Sequence, residues 1–476
     1  MVTTRSKTSK LGTESVTDNN FQTVANSKVL NQRSRKVKNS NNYNQFIIFI
    51  SLLLDLIGFT IILPLLPSIL EYYKTHDANN GLYSYLDTKI TYFQRFVGAP
   101  SIHNMVLFGG ILGSLFSFLQ FLASPIVGAF SDVYGRKPTI LLCLVGIAFS
   151  YWLWSISSSF LIFIIARFMG GISKGNLSLS MAAMTDISSS DKRASGMALI
   201  GSAFSVGFVV GPIIGAYFTQ TIPQDNYMWF TKPAIFALCL IGADILFVII
   251  LFKETLPKEK RMKSVATSLR QAFVYINVKD LFLFTAIKNV STKDLKQLRS
   301  LGLIYFLYLF LYSGLEFTLT FLTHFKFQYT SMEKGQMLSA SGFTMALLQG
   351  AFVRRIPAES VQTYASLGLL LTVPAYFCVG TAQSHILLWV GVFLYSVATS
   401  FVVPCMTTIA SKYGSPSQKG TALGIFRSLG LLARAVGPIV ASIAYWSFGS
   451  LITYCTGGVL LLIPWYMLKT SPNMKI

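Results

Sequence analysis

Charge is what this chain has least of. Only 12% of its 476 residues are Asp, Glu, Lys or Arg, where soluble globular domains carry about 25%. That shortage excludes an ordinary soluble domain as the bulk of the protein. Histidine is scarcer still. All 4 of them (His76, His103, His324 and His385) fall in connections or at the ends of apolar runs. A membrane-embedded enzyme built on a buried His–carboxylate pair is thereby excluded, and no catalytic residue is expected. The 5 cysteines (Cys143, Cys239, Cys378, Cys405 and Cys455) stand singly inside apolar stretches. None has a neighbour at metal-ligand spacing, so they read as small hydrophobes rather than disulfides, a redox site or a metal site. No metal and no organic cofactor is expected. The first 44 residues lack any apolar core, so no cleavable signal peptide can be read there and the segment reads as a disordered tail.

What the chain has is hydrophobicity, 53% of its residues, arranged in runs long enough to cross about 30 Å of hydrocarbon. Backbone polar groups must be satisfied internally in lipid, so repeated runs of this kind mean helices. The expected fold is all-α and polytopic, with twelve transmembrane helices in two pseudo-symmetric six-helix bundles. Spans are expected near 45–70, 105–130, 138–157, 160–184, 195–219, 230–252, 301–325, 332–354, 361–380, 384–410, 420–446 and 449–469. The organisation follows: a basic cytoplasmic tail (1–44), an N-terminal bundle (45–252), a cytoplasmic linker (253–300), a C-terminal bundle (301–469) and a C-terminal cytoplasmic tail (470–476).

The net charge of +21 would suit a nucleic-acid binder, but its distribution argues otherwise. Arg136 and Lys137, Lys192 and Arg193, Arg354 and Arg355, Lys412 and Lys419, the linker and the tail all fall on one side of a twelve-span topology. The positive-inside rule makes that side, with both termini, cytoplasmic. The partner implied is the lipid bilayer, not nucleic acid. The cluster Arg33, Arg35, Lys36 and Lys38 reads as an orientation signal that favours anionic lipid. Plasma membrane, endomembrane and nuclear envelope all stay open. Part of the linker (270–290) has the amphipathicity of an interfacial helix. In the long outward connection 71–104, Thr91–Gly98 reads equally as a surface-lying segment or a plain loop.

The halves echo one another. Gly207–Ala216 reads GFVVGPIIGA and Ala433–Ser442 reads ARAVGPIVAS, so Gly211–Pro212 and Gly437–Pro438 occupy matching places. Small residues four apart allow close helix contact and proline bends a span. Asp55 lies 157 residues before Pro212 and Glu316 lies 122 before Pro438. The difference, 35, is close to the 34 residues of the 71–104 connection, which makes Asp55 and Glu316 expected symmetry mates. Repeated halves with a central site are the mark of alternating-access carriers.

Gly128–Pro138 reads GAFSDVYGRKP. It resembles the loop signature of the major facilitator superfamily, with Gly128, Asp132, Gly135, Arg136 and Lys137 matching. The resemblance implies a cytoplasmic gate in which Arg136 reaches Asp186 at the end of the fourth span. Arg167 and Gly171 resemble the family's Arg-x2-Gln-Gly element, with Gly170 in the Gln place. Gly207, Gly211, Pro212 and Gly215 resemble the motif of the drug:proton antiporter branch, with Ala216 replacing its last Gly. Lys253–Pro257 (KETLP) is also seen in that branch. The runs RFMGGISKGNLSLS, IYFLYLFLYSGLEFTLTFLTH and KGTALGIFRSLGLLARAVGP are similar to the tetracycline-transporter-like group. This likeness spans nearly all of residues 45–469. It implies secondary transport of organic anions or drugs.

Charges inside spans cost about 2.5–3.5 kcal/mol on insertion scales, which makes each a functional candidate. Here they are Asp55, Arg167, Lys174, Asp244, Glu316, Arg427 and Arg434. Arg167 and Lys174 are seven apart, as are Arg427 and Arg434, so each pair shares a helix face. Two basic stripes would hold an anionic substrate across a cavity, or each cation pairs with a carboxylate. Asp55, Arg167, Lys174, Glu316 and Arg434 are the candidates for contact with substrate or proton, and Asp244 and Arg427 read as structural. With histidine absent from span interiors, a coupled proton falls to Asp55 or Glu316. The expected function is proton-coupled efflux or exchange of amphipathic organic anions or drugs, by alternating access, by a monomeric carrier. A facilitative uniporter and a transporter-shaped scaffold without flux are the alternatives.

Overall fold

The computed structural model describes residues 43–77, 81–97, 104–188, 193–220, 228–287, 290–413 and 419–471. The tail with its basic cluster, Lys192, His103 and the last five residues lie outside them, as do the side chains of Arg193 and Lys419. Helix is the dominant structure. Among the described residues, ten helices are long and apolar enough to cross a membrane. One of these, α16 (Lys419–Leu460), is two spans joined at Gly449, whose φ of 77° turns the chain back. A further helix, α13 (Ser331–Ala351), crosses beside them although it is more polar. Its hydroxyls bond across to its neighbours, Ser339 to the Val209 carbonyl (2.6 Å) and Ser341 to Ser396 (2.6 Å), as polar spans do in lipid. The fold is the expected twelve-span, two-bundle polytopic one.

In the N-terminal half, α1 (Tyr43–Thr60) unwinds over residues 61–65 and continues as α2 (Leu66–His76). After α3 (Leu82–Val97) come α4 (Asn104–Tyr134) and α5 (Arg136–Ser155). The fourth span is α6 (Phe160–Ser173) and α7 (Asn176–Ile187), broken at Lys174–Gly175; α8 (Arg193–Gln220) and α9 (Thr231–Leu251) complete the half. The first and fourth spans were expected to be continuous, and both breaks fall beside the candidate site. Thr91–Val97 belongs to α3, a helix within the 71–104 connection.

The linker is not one interfacial helix over 270–290. It folds as α10 (Val265–Ala272), a 3-10 turn and α11 (Val278–Leu283), ending at Phe284 with φ 53°. Next, α12 (Thr292–Phe327) starts nine residues ahead of the expected seventh span, capped by Ser291. The extension carries Lys293, Lys296 and Arg299, which suit a stretch outside hydrocarbon. Then follow α13, α14 (Val361–Thr381), α15 (His385–Ala410), α16 and α17 (Leu462–Thr470).

The repeated Gly-Pro segments show how the halves correspond. A Cβ on Gly211 would strike the Ile57 carbonyl and the Thr60 hydroxyl; one on Gly437 would strike the Phe310 carbonyl and the Ser313 hydroxyl. Each fifth helix therefore packs on the first helix of its own half, and residue 57 corresponds to 310. Asp55 then matches Tyr308, not Glu316. Glu316 lies eight residues further on, about 12 Å along the axis. The count along the chain had credited the whole length difference to one outward connection, whereas the other connections differ as well.

Candidate functional site

In the N-terminal half, Lys174 donates to Asp55 Oδ1 at 2.6 Å and Asn176 donates to Asp55 Oδ2 at 2.8 Å. The broken fourth span explains the arrangement. Lys174 sits at the C-terminal end of α6 and Asp55 faces the start of α7, so each charge meets the helix end that favours it. The pair is dry, with side-chain exposures of 5% and 1%. Lys174 also lies 4.8 Å from the centre of the Phe59 ring. Phe59 stacks on Phe116, and Arg167 covers the Phe116 ring at 4.5 Å. Arg167 is half-buried, and among the described residues it has no carboxylate partner. A Cβ on Gly170 already comes within 2.8 Å of Ser150, so the glutamine usual in that place would not fit.

The C-terminal half answers with a wet pair. Arg434 stands 3.7 Å from Glu316, their side chains 46% and 31% exposed. Both lie well inside the bundle, among Tyr305, Tyr312 and Tyr395, so this exposure is to an internal cavity. Tyr312 donates to Glu316 at 2.9 Å, Tyr395 bonds to Tyr312, and Tyr376 donates to the Tyr312 carbonyl at 3.3 Å. Tyr308, the counterpart of Asp55, reaches Thr399 at 3.5 Å. Each half therefore holds an interior guanidinium, Arg167 on an aromatic face in the N-terminal half and Arg434 loosely paired among tyrosines in the C-terminal half. Arg427 has no carboxylate partner among the described residues; it donates to Met181 Sδ at 2.7 Å, and its Nη2 is buried without a partner.

The Gly128–Pro138 connection forms a compact charge cluster. Arg136 reaches Asp132 at 2.8 Å and Asp186 at 2.9 Å, and also meets Ser131. Gly135 makes the turn at φ 108°. Glu254, whose part the sequence did not reveal, accepts from the backbone N–H of Arg136 (2.9 Å) and Lys137 (3.2 Å). It thus closes the start of α5 with an anion and pairs with Arg261 at 3.4 Å. The Met262 N–H donates to the Asp132 carbonyl at 2.8 Å, which ties the linker to this loop.

At the opposite end the halves are sealed. Ser68 meets Ser331 at 3.3 Å and Trp446 donates to Asn104 at 2.9 Å. Between the halves Gly335 lies against the Pro212 carbonyl, and Gly110 against the Pro438 carbonyl. Lys334, absent from the expected intramembrane charges, is fully buried here; it lies 3.4 Å from both Ser68 and His324. Glu71 lies 3.4 Å from His324, whose hydrogen bond holds the carboxyl below the ordinary glutamate value. At the basic end, among the described residues, long side chains reach across the divide, Arg427 to Met181 and Arg354 to Ser202 at 3.4 Å.

Of the expected site residues, the structure brings together Asp55 with Lys174, Glu316 with Arg434, and Asp132 with Arg136 and Asp186. Arg167 stands apart from every carboxylate described. Gly207, Gly211 and Gly215 pack on α1 and the segment that follows it, and Gly437 packs on α12.

Comparison with known proteins matches residues 48–438 to the model of the Major Facilitator Superfamily. The chain is 45% identical over 430 residues to human major facilitator superfamily domain-containing protein 10, covering 89% of this chain and 92% of that one. It is 23% identical over 395 residues to the class B tetracycline resistance protein of Escherichia coli, covering 83% and 86%. A crystal structure of the human organic anion transporter MFSD10 (TETRAN) superposes with a TM-score of 0.75 at 44% identity, covering 90% of this chain and 99% of that one. A POT family transporter, at 13% identity and a TM-score of 0.66, shares the fold over 91% of this chain and 96% of its own.

Proposed function

The chain belongs to the major facilitator superfamily, and on that premise we propose that it exports amphipathic organic anions by proton-coupled alternating access. That it is a multi-pass membrane transporter of small molecules, and not an enzyme, follows from the family. The anion and the proton are our reading, as are cytoplasmic termini and action as a monomer, which one chain enclosing the whole cavity supports.

The observation that carries the anion is Arg167. A guanidinium in a membrane interior without a carboxylate is costly, unless a ligand completes it. Its place on the Phe116 face leaves its N–H groups free for an anionic head, with Phe59 and Phe116 as a wall for an aromatic or apolar body. The described likeness to a human organic anion transporter supports the same class. Glu316–Arg434 completes the anion site, and the carboxyl groups buried inside the bundles supply candidates for the proton. At 3.7 Å and partly wet, the pair is loose enough for a substrate anion to take the place of Glu316 on Arg434.

Export as exchange against protons is supported by the likeness of Gly207–Gly215 to the antiporter motif. The deciding experiment is uptake of a labelled organic-anion panel into proteoliposomes, with and without an imposed pH gradient, using Arg167→Ala as control. Gradient-driven flux lost in the variant is expected, and the sign of its gradient dependence separates co-transport from exchange. Flux indifferent to the gradient would replace this reading with a uniporter, and no flux in the native protein would replace it with a scaffold.

A further inference from the structure

Asp244, on α9, is a carboxyl that the site above does not use. Its residue exposure is 0%, and neither carboxyl oxygen has a hydrogen-bond partner. The groups facing it are few. Ser51 and Asp55 approach from α1, Ser51 without closing a hydrogen bond, and Lys174 approaches from the break between α6 and α7. From α5, Cys143 and Tyr151 face the same Asp55. Asn176 Oδ1, in the same cluster, is also buried without a partner.

The charges do not balance if both carboxyls are ionised. Lys174 is committed to Asp55 at 2.6 Å, so an ionised Asp244 would be a second, unpaired anion sealed in a bundle interior. Burying such a charge costs many kcal/mol, and a neutral acid costs far less. Two carboxyls sharing one ammonium hold one exchangeable proton between them.

We propose that this proton is the coupled proton of the carrier and that Asp244 holds it, in a dry site separate from the anion site at Arg167 and Arg434. The proposal rests on the proton-coupled reading given above and assigns its proton to a residue other than Asp55 or Glu316. Lys174 is built to move it. It stands at the break in the fourth span, so a shift of α7 against α6 carries the ammonium from Asp55 towards Asp244. The O–H bond of Asp244 then breaks, the new carboxylate pairs with Lys174, and the proton passes to the Asp55 carboxylate and on to water. Closing the break reverses the transfer. Because Asp244 has no accessible surface in this conformation, proton exchange with either side requires the conformational change, which is what coupling demands.

The test uses the full-length protein in proteoliposomes with Asp244→Asn. Gradient-driven anion accumulation, divided by exchange without a gradient in the same vesicles, should fall roughly tenfold, within the usual range for coupled sites. Asp244→Glu keeps the acid and should retain coupling with a displaced pH profile. An independent reading is the infrared carbonyl stretch of an un-ionised carboxylic acid in the purified protein at neutral pH. It should be present in the native chain, absent in Asp244→Asn and shifted in Asp244→Glu. A band unchanged in both variants, or a coupling ratio unchanged in Asp244→Asn, overturns the proposal. If the native protein shows no gradient-driven flux, the proton-coupled reading itself fails, and the infrared band still reports whether Asp244 is the neutral acid.

Discussion

Lys174→Met separates a buried structural pair from a cation waiting for substrate. At 2.6 Å, the attraction between Lys174 and Asp55 is about 6 kcal/mol at an effective dielectric of about 20. Desolvation of each ion costs several kcal/mol, so the intact pair contributes little net stability. Removing one member is different, because the other is left buried with only Asn176 for company. The expected loss for Lys174→Met is about 3–5 kcal/mol. Asp55→Asn combined with Lys174→Met removes both charges and should regain most of that loss. The assay is detergent-driven unfolding of the purified protein, followed by tryptophan fluorescence, in a double-mutant cycle. A coupling energy of about 2–3 kcal/mol is expected. If Lys174→Met unfolds within about 0.5 kcal/mol of the native chain, or the double variant loses the sum of both singles, the pair is not the buried unit described. Lys174 would then belong to the open cavity, beside Arg167.

Cysteines at Ser68 and Ser331, whose hydroxyls lie 3.3 Å apart across the two halves, should form a disulfide on oxidation and stop transport, with recovery on reduction and no effect in either single variant. A cross-linked carrier that still turns over would refute separation of the halves at that end. Glu254→Ala should orphan the backbone N–H groups at the start of α5, costing about 1–3 kcal/mol, and should speed proteolysis of the linker near Lys258–Lys263. Glu254→Gln keeps an acceptor oxygen and should lose less; equal cleavage of native and alanine proteins would refute the capping role.

The spans were legible because twenty apolar residues have few alternatives in lipid, and the charge cluster of Gly128–Pro138 was legible because its spacing is local. What stayed hidden depends on packing between distant segments. Lys334 sits three residues into α13, where a lysine reads as lying at a span mouth, yet α2 and the end of α12 close over it. Glu254 stood in the run KETLP, noted only for its likeness to the antiporter branch, and only the turn at Gly135 brings two backbone N–H groups to it. Asp244 read as half of an ion pair, but its nearest cation is already taken. The symmetry between Asp55 and Glu316 failed for a related reason. Residue counting cannot separate one long connection from several small differences, whereas the contacts of Gly211 and Gly437 can.

The corrected symmetry bears on mechanism. If Asp55 and Glu316 were mates, two equivalent sites would share the work, and either could carry the proton. Instead Asp55 matches a tyrosine, and Glu316 stands about 12 Å further along its helix in a wet cavity. The dry pair is held at 2.6 Å with exposures of 5% and 1%, and the wet pair at 3.7 Å with 46% and 31%. A dry pair resists competition by a bulky anion, because its side chains leave almost no surface for one to reach. A wet and loose pair invites that competition. The proposed division of labour, proton in the N-terminal half and anion between Arg167 and Arg434, rests on that difference. It predicts that charge-neutral substitutions at Asp244 and Glu316 affect different quantities, Asp244→Asn the coupling ratio and Glu316→Gln the apparent affinity for the anion. Equal effects of both variants on both quantities would count against the division.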